Sequence, residues 1–423
     1  MYQTLTDFYW VLRYTPSAPP AGTRSVRNFL SVSVQYRAQS TKQEINMKNE
    51  ALMPAAVIPA TGKHLNRNRT FQGIPGIAAS NSGRLFAVWY SGGKTECREN
   101  FVIVSISDDN GENWSDAVWV VDHPAETIRA FDANIWAAPD GKIYLFWTQC
   151  HSEISADGKT HSIFDGTSGV WFSALANPDA STEIWNWSSP RRIADGIMMN
   201  KPVVLADGTW ALPISVWNLP GVKRGKDGAK IYLSTDQGKT FFEQGKTKIP
   251  RRDAIFDEHS IVEYPDGSLK MFIRRARFGN LESVSTDGGK TWSKPFLSSI
   301  GGPCSRLWIS RLKSGRLILV NNDCGPKKRG IPLQRVKMTA WLSDDDGKNW
   351  YGGLVLDGRE WVSYPDGQQT ADGSIWIIHD WDRYAGGEII ASHVTEEDIA
   401  AGKLISPESK LNIIISRTRP VEK

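Results

Sequence analysis

The stretch EHSIVEYPDGSLKMFIRRARFGNLESVSTDGGKTW, residues Glu258–Trp292, contains the unit from which most of this chain is built. An extended run over residues 259–264 leads into the turn Pro-Asp-Gly at 265–267, and a second run over 269–273 returns, which predicts a β-hairpin. A third run ends in Ser-Thr-Asp-Gly-Gly-Lys-Thr-Trp at 285–292. In such a turn Ser and Asp bond to backbone N–H groups, Gly takes a positive φ, and Trp packs on apolar side chains.

The unit recurs along the chain. The turn Ser-x-Asp-x-Gly-x-x-Trp occurs at 107–114, 285–292 and 343–350, and at 234–241 with Phe in the last place. The hairpin turn occurs six times, with Gly at positions 83, 141, 208, 267, 315 and 373. Repetition of an all-β unit at roughly 50–60 residues predicts a six-bladed β-propeller. We expect the propeller to span residues 66–423, and a last strand over 411–416 to complete an early blade and so close the ring.

Residues 1–65 do not fit the repeat and are predicted to be an N-terminal extension. The first 46 residues have no regular apolar pattern and lack the apolar core of about 7–15 residues that secretory signals contain. Met47 would be a reasonable alternative start. We therefore expect the first 46 residues to be dispensable, as a disordered or misassigned extension, the alternative being an arm that packs on the propeller.

Composition excludes several function classes. The net charge is +4 without a long lysine or arginine run, so we expect no nucleic-acid partner. No apolar run approaches the ~20 residues of a membrane span. The four cysteines lack metal-ligand spacing, so we expect isolated thiols, no metal and no other cofactor.

A ring of polar residues follows from the propeller geometry. Residues before the first strand and after the second strand of every blade converge at one end of the axis, and here both sets are polar while the strands are apolar. The sets are Gln72, Arg129, Asp132, Asn200, Lys201, Asp257, Glu258, His259, Arg306, Tyr364 and Asp366, and Glu96, Gln149, His151, Trp217, Arg274, Arg277, Asn322, Asp323, His379, Asp380, Asp382 and Arg383. Such a ring predicts an axial pocket for an acidic ligand, although any one member could be an ordinary loop residue or a buried ion-pair partner.

The repeats resemble the bacterial-neuraminidase (Asp-box) repeats of the sialidase superfamily over about residues 70–400. The three full turns match the Asp box, and Phe71–Pro75 stands where that family has Phe-Arg-Ile-Pro. The resemblance implies a propeller with structural Asp boxes on its rim. It also implies an exo-glycosidase with a tyrosine nucleophile polarised by a glutamate, a carboxylate general acid, and three arginines that hold the sugar carboxylate.

The resemblance carries these roles to individual positions. It implies that Tyr364 is the nucleophile, that Glu258 and Arg274 are the glutamate–arginine pair of the fourth blade, that Arg306 is the third arginine, and that Glu96 is the general acid. Further candidates for substrate binding are Arg129, Asp132, Lys201, His259, Asp380 and Arg383. The chemistry is consistent, because a tyrosine is a weak nucleophile without a nearby base, and glycosidases with a tyrosine nucleophile are an established class.

One position departs from the family pattern. Gly73 stands where the first arginine of the triad is expected. Arg67, Arg69 or Arg129 are the candidates to reach the same volume. The loss of one bidentate arginine–carboxylate contact costs a few kcal/mol, so this position bears on substrate and activity.

Three functions compete at this point. The first is a sialidase-like exo-glycosidase acting on a terminal acidic sugar of a glycan or glycoconjugate. The second is a polysaccharide lyase on uronic-acid glycans, in which His259, Tyr364 and Arg274 would serve as base, acid and charge neutraliser. The third is a carbohydrate-binding propeller without catalysis. Release of a reducing sugar, of an unsaturated product, or of neither separates them.

Overall fold

Six antiparallel sheets stand in a ring as the blades of a β-propeller, which confirms the fold predicted from the repeat. The computed structural model describes residues 50–154, 160–162, 166–217, 227–324 and 334–418. In blades one, two and six the first three long strands pair in chain order. Each of these sheets is therefore an antiparallel meander whose first long strand lies at the axis.

The strands of the first three blades are as follows. Blade one contains Ala56–Pro59 (β1), Gln72–Ala79 (β2), Leu85–Ser91 (β3), Phe101–Ser107 (β4) and Trp119–Asp122 (β5). Blade two contains Ile128–Ala137 (β6), Ile143–Ile154 (β7), Thr160–Ser162 (β8), Gly169–Leu175 (β9) and Arg191–Asp195 (β10). Blade three contains Ile197–Met198 (β11), Val203–Val204 (β12), Trp210–Val216 (β13), Gly228–Ser234 (β14) and Phe242–Thr247 (β15).

The other three blades have four strands each. Blade four contains His259–Glu263 (β16), Leu269–Arg274 (β17), Asn280–Ser285 (β18) and Phe296–Leu297 (β19). Blade five contains Trp308–Arg311 (β20), Leu317–Asn322 (β21), Val336–Ser343 (β22) and Tyr351–Glu360 (β23). Blade six contains Val362–Gln369 (β24), Ile375–Trp381 (β25), Glu388–Val394 (β26) and Lys410–Arg417 (β27).

Helical structure is sparse in the described part of the chain. It comprises the α-helix Glu396–Ala401 (α1) and the 3-10 turns Gly62–His64, Asn66–Asn68 and Thr182–Ile184. None of the helices described is long and apolar enough to cross a membrane.

The core lies between the blades. Strands such as β3 and β4 are buried at every position, because each sheet packs a neighbour on both faces. Among the described residues one apolar cluster fills each of the six spaces between adjacent blades. Burial of this area from water is the main driving force for the fold, and it makes each blade depend on its two neighbours.

The four Ser-x-Asp-x-Gly turns share one hydrogen-bond pattern. After β18, the Gly289 N–H donates to the Ser285 hydroxyl oxygen at 2.9 Å, and the Thr291 N–H donates to Asp287 Oδ1 at 2.9 Å. The Ser285 hydroxyl donates to the same Asp287 oxygen at 2.8 Å. The same bonds recur in the turns that begin at Ser107, Ser234 and Ser343.

The ring is not closed in the way that the sequence suggested. The last strand, β27, pairs with β26 in its own blade, because α1 turns the chain back along the outer edge of that sheet. Blade six instead meets blade one through carboxylates. Asp380 Oδ2 accepts from the Ile74 N–H at 2.8 Å, and Asp366 Oδ2 accepts from the Ile77 N–H at 2.9 Å. The expectation that the C-terminal strand completes an early blade is therefore wrong.

The outer edge of blade one is covered from the N-terminal side. β1 pairs with β5, and the Ala55 N–H donates to the side chain of Gln149 in blade two at 3.1 Å. These residues precede position 66, where the repeat pattern places the start of the propeller. The first 46 residues, predicted to be dispensable, lie outside the described residues.

Candidate active site

One buried arginine links the two oxygens expected to do the chemistry. Glu258 precedes β16 and Arg274 ends β17, so both stand at the axial end of one hairpin. Arg274 Nη1 donates to Glu258 Oε1 at 2.6 Å and to the Tyr364 hydroxyl oxygen at 3.0 Å. Burial alone would lower the pKa of Arg274, but the neighbouring Glu258 and Tyr364 outweigh it and raise that pKa. The guanidinium is thus permanently charged beside a phenol.

Tyr364 reaches this arginine through a β-bulge. The register of β24 slips between Ser363 and Asp366, and Tyr364 has a φ of 54°. The first long strands of blades one and two bulge in the same way, with φ of 57° at Ile74 and 48° at Asp132. A left-handed backbone is costly for residues other than glycine, and bulges re-aim side chains beside functional sites. In three adjacent blades the first long strand is therefore bent by a bulge at the same height along the propeller axis.

Four arginines surround the Tyr364 ring. The guanidinium carbons of Arg274, Arg306, Arg335 and Arg383 lie 6.0, 5.5, 5.0 and 4.7 Å from its centre. Such a concentration of cations near one aromatic ring is suited to binding an anionic group. The four differ in how many of their N–H groups are already engaged.

Both terminal nitrogens of Arg306 are bonded to the framework. It donates through Nη2 to the carbonyl oxygens of Pro75 (3.1 Å), Tyr364 (3.0 Å) and Pro365 (3.1 Å), and through Nη1 to that of Met199. These bonds hold blades one, three, five and six together at the axis. The assignment of Arg306 as a ligand of the substrate carboxylate is therefore not supported by its geometry.

Arg335 is a site residue that the sequence reasoning missed. It lies one residue before β22, is half-buried, and its Nη2 donates to the Cys304 carbonyl oxygen at 3.0 Å. Only residues before first strands and after second strands had been expected at the axis. The sequence feature that could have identified Arg335 is its position directly before β22, the strand that leads into the turn beginning at Ser343.

Glu96 lies at the open side of this cluster. Its Oε1 accepts from the Tyr384 hydroxyl at 2.8 Å and is 3.6 Å from Arg383 Nη2, and 38% of its side chain is exposed. Enclosure in the site opposes ionisation, but Arg383, Arg129 and the Tyr384 hydrogen bond outweigh it and lower the pKa of Glu96. Glu96 is therefore ionised at neutral pH in the free site.

Asp132 shows the opposite behaviour. Burial raises its pKa to about 7, with a further contribution from Glu96 and Glu258, although Arg129 and Arg383 oppose the shift. Arg129 itself is buried, donates to Asn100 Oδ1 at 2.8 Å and lies 4.0 Å from the centre of the Phe131 ring. Its Nη1 also donates to the Ser162 hydroxyl oxygen at 3.1 Å, so both terminal nitrogens of Arg129 are bonded within the framework.

Two further candidates act within the framework. Lys201 Nζ pairs with Asp366 Oδ2 at 2.8 Å and donates to the carbonyl oxygens of Gly367 (2.7 Å) and Ile77. With three donors engaged, Lys201 has none left for a ligand. Asp380 accepts from Ile74 N–H and from the Ser363 hydroxyl (2.6 Å), so it positions the two bulged strands.

His259 is a buried core residue. Its Nε2 is 2.8 Å from the Lys230 carbonyl oxygen and its Nδ1 is 3.2 Å from that of Asp257. Burial lowers the pKa of His259 to about 4. Both ring nitrogens face backbone carbonyls, so neither is placed to act on a ligand, and the expectation of a substrate-binding or basic His259 is not supported.

The charged cluster, and not the cavity elsewhere in the chain, is the candidate site. A cavity of about 400 Å³ lies between blades four and five, lined by Phe278, Ile300, Trp341, Trp350 and others. Of the polar ring only Asn322 and Asp323 line it, and none of the residues given a catalytic or substrate-binding role does. Among the described residues, no group of His, Cys, Asp and Glu side chains is placed to hold a metal ion. The four cysteines are free, and the Cys304 thiol accepts from Arg274 Nε at 3.3 Å.

Comparisons with known proteins identify the repeat. A family model described as a BNR repeat-like domain matches residues 83–377. No curated protein gives a significant sequence match.

Solved sialidases have the same fold. The intramolecular trans-sialidase from Ruminococcus gnavus superposes with a TM-score of 0.59 at 14% identity, covering 84% of this chain and 99% of that one. The NanB sialidase from Streptococcus pneumoniae gives 0.57 at 13% identity, covering 82% and 71%. The Hadza microbial sialidase Hz136 gives 0.55 at 17% identity, covering 74% of this chain but only 63% of its own. At these identities the likeness is one of fold.

Proposed function

Because this chain belongs to the family of BNR repeat-like domains, we propose that it is a sialidase-like exo-glycosidase that removes a terminal acidic sugar from a glycoconjugate through a tyrosine nucleophile. The observation that carries the proposal is the Arg274 nitrogen that bonds both to Glu258 and to the Tyr364 hydroxyl. A nucleophile, a base and a cation meet there in a buried cluster.

Tyr364 is the attacking group in this proposal. Its oxygen bonds to the anomeric carbon while its proton passes to Glu258, whose Oε2 is buried and has no hydrogen-bond partner among the described residues. The positive charge of Arg274 stabilises the phenolate as it forms. A neutral phenol also approaches an anionic sugar without the repulsion that a carboxylate nucleophile would meet. The bond between the anomeric carbon and the leaving-group oxygen breaks as the tyrosyl glycoside forms. Water then attacks the anomeric carbon and gives a proton to the carboxylate that had protonated the leaving group, while Glu258 returns its proton to the Tyr364 oxygen and the sugar is released.

The leaving group needs a proton from a carboxylic acid. By position the resemblance gives this role to Glu96, but the arginines around Glu96 keep it ionised. Of Glu96 and Asp132, it is Asp132, with its pKa raised to about 7, that carries a proton near neutral pH. The pKa order thus favours Asp132 as the donor, with Glu96 holding Arg383 and Tyr384.

The sugar carboxylate is bound by arginines with unused donors. Arg274 and Arg335 approach the Tyr364 ring from blades four and five, and each is anchored by only part of its guanidinium. Planar N–H pairs match the geometry of a carboxylate. The lyase alternative needs a free base, and the backbone contacts of His259 remove its main support.

The test is turnover of 4-methylumbelliferyl α-sialoside and of a panel of acidic glycosides by wild type and Tyr364→Phe. We expect Tyr364→Phe to keep its Tm and to lose turnover by a factor on the order of 1,000 or more, because one oxygen and little volume is removed. Tyr264→Phe, in a half-buried tyrosine at the far end of the blade-four hairpin, is the matched control and should retain activity.

Three results would contradict the proposal. An active Tyr364→Phe excludes the nucleophile. A product that absorbs in the ultraviolet, as an unsaturated uronate does, indicates a lyase. Binding of the panel by wild type without any turnover indicates a carbohydrate-binding protein.

A further inference from the structure

The space beside Gly73 is filled by an arginine of another blade. A Cβ atom on Gly73 would lie 2.8 Å from Arg383 Cδ, 3.1 Å from Arg383 Cβ and 3.0 Å from Asp380 Oδ2. Gly73 is not among the glycines with positive φ, so its backbone would accept another residue. Space, and not conformation, therefore requires glycine at this position.

Arg383 presents unused donors to the site. Its guanidinium carbon is 4.7 Å from the centre of the Tyr364 ring, and only 10% of its side chain is exposed. Nη1 is buried without a hydrogen-bond partner among the described residues, 3.6 Å from Asp380 Oδ2. Nη2 is 3.6 Å from Glu96 Oε1. The two carboxylates hold the charge in place at these distances without accepting hydrogen bonds from Nη1 or Nη2, whereas backbone carbonyl oxygens accept from both terminal nitrogens of Arg306.

The loop that bears Arg383 is firmly anchored. The N–H groups of Ala385, Gly386 and Gly387 donate to the Asp382 carbonyl oxygen at 2.8–2.9 Å. Gln72, which precedes Gly73 in the chain, donates through Nε2 to the Gly387 carbonyl oxygen at 2.7 Å. Arg383 is thus fixed against the strand in which the family's arginine would stand.

We infer that Arg383 completes the binding of the substrate carboxylate, with Arg274 and Arg335, in place of an arginine at position 73. Gly73 and Arg383 form one exchange: the glycine removes a side chain from blade one, and blade six supplies the cation in the vacated volume. This inference rests on the proposed function. It makes Arg383, with Arg274 and Arg335, a determinant of selectivity for acidic over neutral sugars.

The exchange can be tested by moving the arginine back. The readouts are KM for 4-methylumbelliferyl α-sialoside and calorimetric Kd for 2-deoxy-2,3-didehydro-N-acetylneuraminic acid, with Tm as the folding control. Arg383→Gln should raise both constants ~10–100-fold. Arg383→Lys should recover part of the lost affinity, because the positive charge remains but the planar pair of guanidinium N–H donors is absent. Lys290→Gln, a charge removal at an exposed turn, should change neither constant.

The double variant gives the sharper result. Gly73→Arg alone should lose binding, because the new side chain overlaps Arg383. Gly73→Arg combined with Arg383→Ala should restore Kd to within about tenfold of wild type, since one bidentate arginine replaces another.

The outcomes separate the inference from the function on which it rests. If the wild type turns over substrate and Arg383→Gln has the same KM and Kd, the role of Arg383 is overturned while the proposed glycosidase function stands. A folded double variant that binds as poorly as Arg383→Ala overturns the exchange. A wild type that neither binds nor turns over any acidic glycoside overturns the proposed function, and the inference with it.

Discussion

At the scale of single residues, the two carboxyl groups near Tyr364 differ in protonation because their neighbours differ. Glu96 faces cations, whereas Asp132 is buried near two other carboxylates. Desolvation and like charge disfavour the ionised form, and nearby arginines favour it. One pocket can thus contain an ionised and a protonated carboxyl group at the same pH, as acid–base catalysis requires.

This difference predicts the pH dependence of turnover. If Asp132 donates the leaving-group proton, kcat should fall as pH rises through about 7, because the pKa of Asp132 is raised to about 7 and the deprotonated form cannot donate. Asp132→Asn should lose most activity, and the remaining kcat should no longer fall as pH rises through about 7 (the alkaline limb of the pH profile). Glu96→Gln, the comparison variant, should keep this alkaline limb. The opposite pattern, with the limb lost only in Glu96→Gln, would return the donor role to Glu96.

At the scale of elements, the Ser-x-Asp-x-Gly turns act on stability and not on chemistry. The Asp287 carboxylate accepts the Thr291 hydroxyl and N–H and the Ser285 hydroxyl, which lower its pKa to about 2. It fixes the link between β18 and β19 at the end of the blade where Ser285 pairs with Leu269, whereas Arg274 pairs with Asn280 at the other end.

Asp287→Ala should therefore lower Tm while leaving kcat of the folded fraction unchanged. The turn N–H groups lose an acceptor, and Lys290→Ala in the same turn is the control, expected to melt like wild type. Since the folded-state pKa lies below the ordinary value, the stabilisation is present above about pH 4 and is lost as pH falls toward 2. The difference in Tm between wild type and Asp287→Ala should shrink over that range. A stable but inactive Asp287→Ala would contradict the structural role.

The bulges are the other device at this scale. Ile74, Asp132 and Tyr364 hold left-handed backbone in β2, β6 and β24, and the carboxylates of Asp380 and Asp366 bond to blade one on either side of the first bulge. Tight packing between blades compensates the local strain. The same contacts that close the ring therefore also position Tyr364, the proposed nucleophile.

At the scale of the whole molecule, the ring determines which part of the N-terminal region matters. β1 covers the free edge of β5, whereas residues 1–46 are predicted to be dispensable. A chain beginning at Met47 should be soluble and have the Tm of the full chain. A chain beginning at Thr61 lacks β1 and should melt lower and aggregate more readily, because a sheet edge is exposed. A marked loss of Tm on removal of residues 1–46 alone would show that this region is part of the fold.

The sequence by itself determined the blade count and the local turns. The six glycine turns depend on a positive φ, and the four Ser-x-Asp-x-Gly turns depend on a positive φ and on hydrogen bonds within eight residues. Both can therefore be recognised from a few neighbouring residues. The pairing of Glu258 with Arg274 was implied by the family resemblance, and one hairpin joins these two residues, which are 16 positions apart.

Tertiary structure alone decided which charged residues are free to bind. Arg306 and Lys201 were predicted as ligands, but the terminal nitrogens of both are bonded to carbonyl and carboxylate oxygens from other blades. Arg383 fills the space beside Gly73, more than 300 positions earlier in the chain, and only the closed ring brings the two together. Whether a buried charge is a framework contact or a binding group depends on which neighbours satisfy it, and those neighbours come from every blade at once.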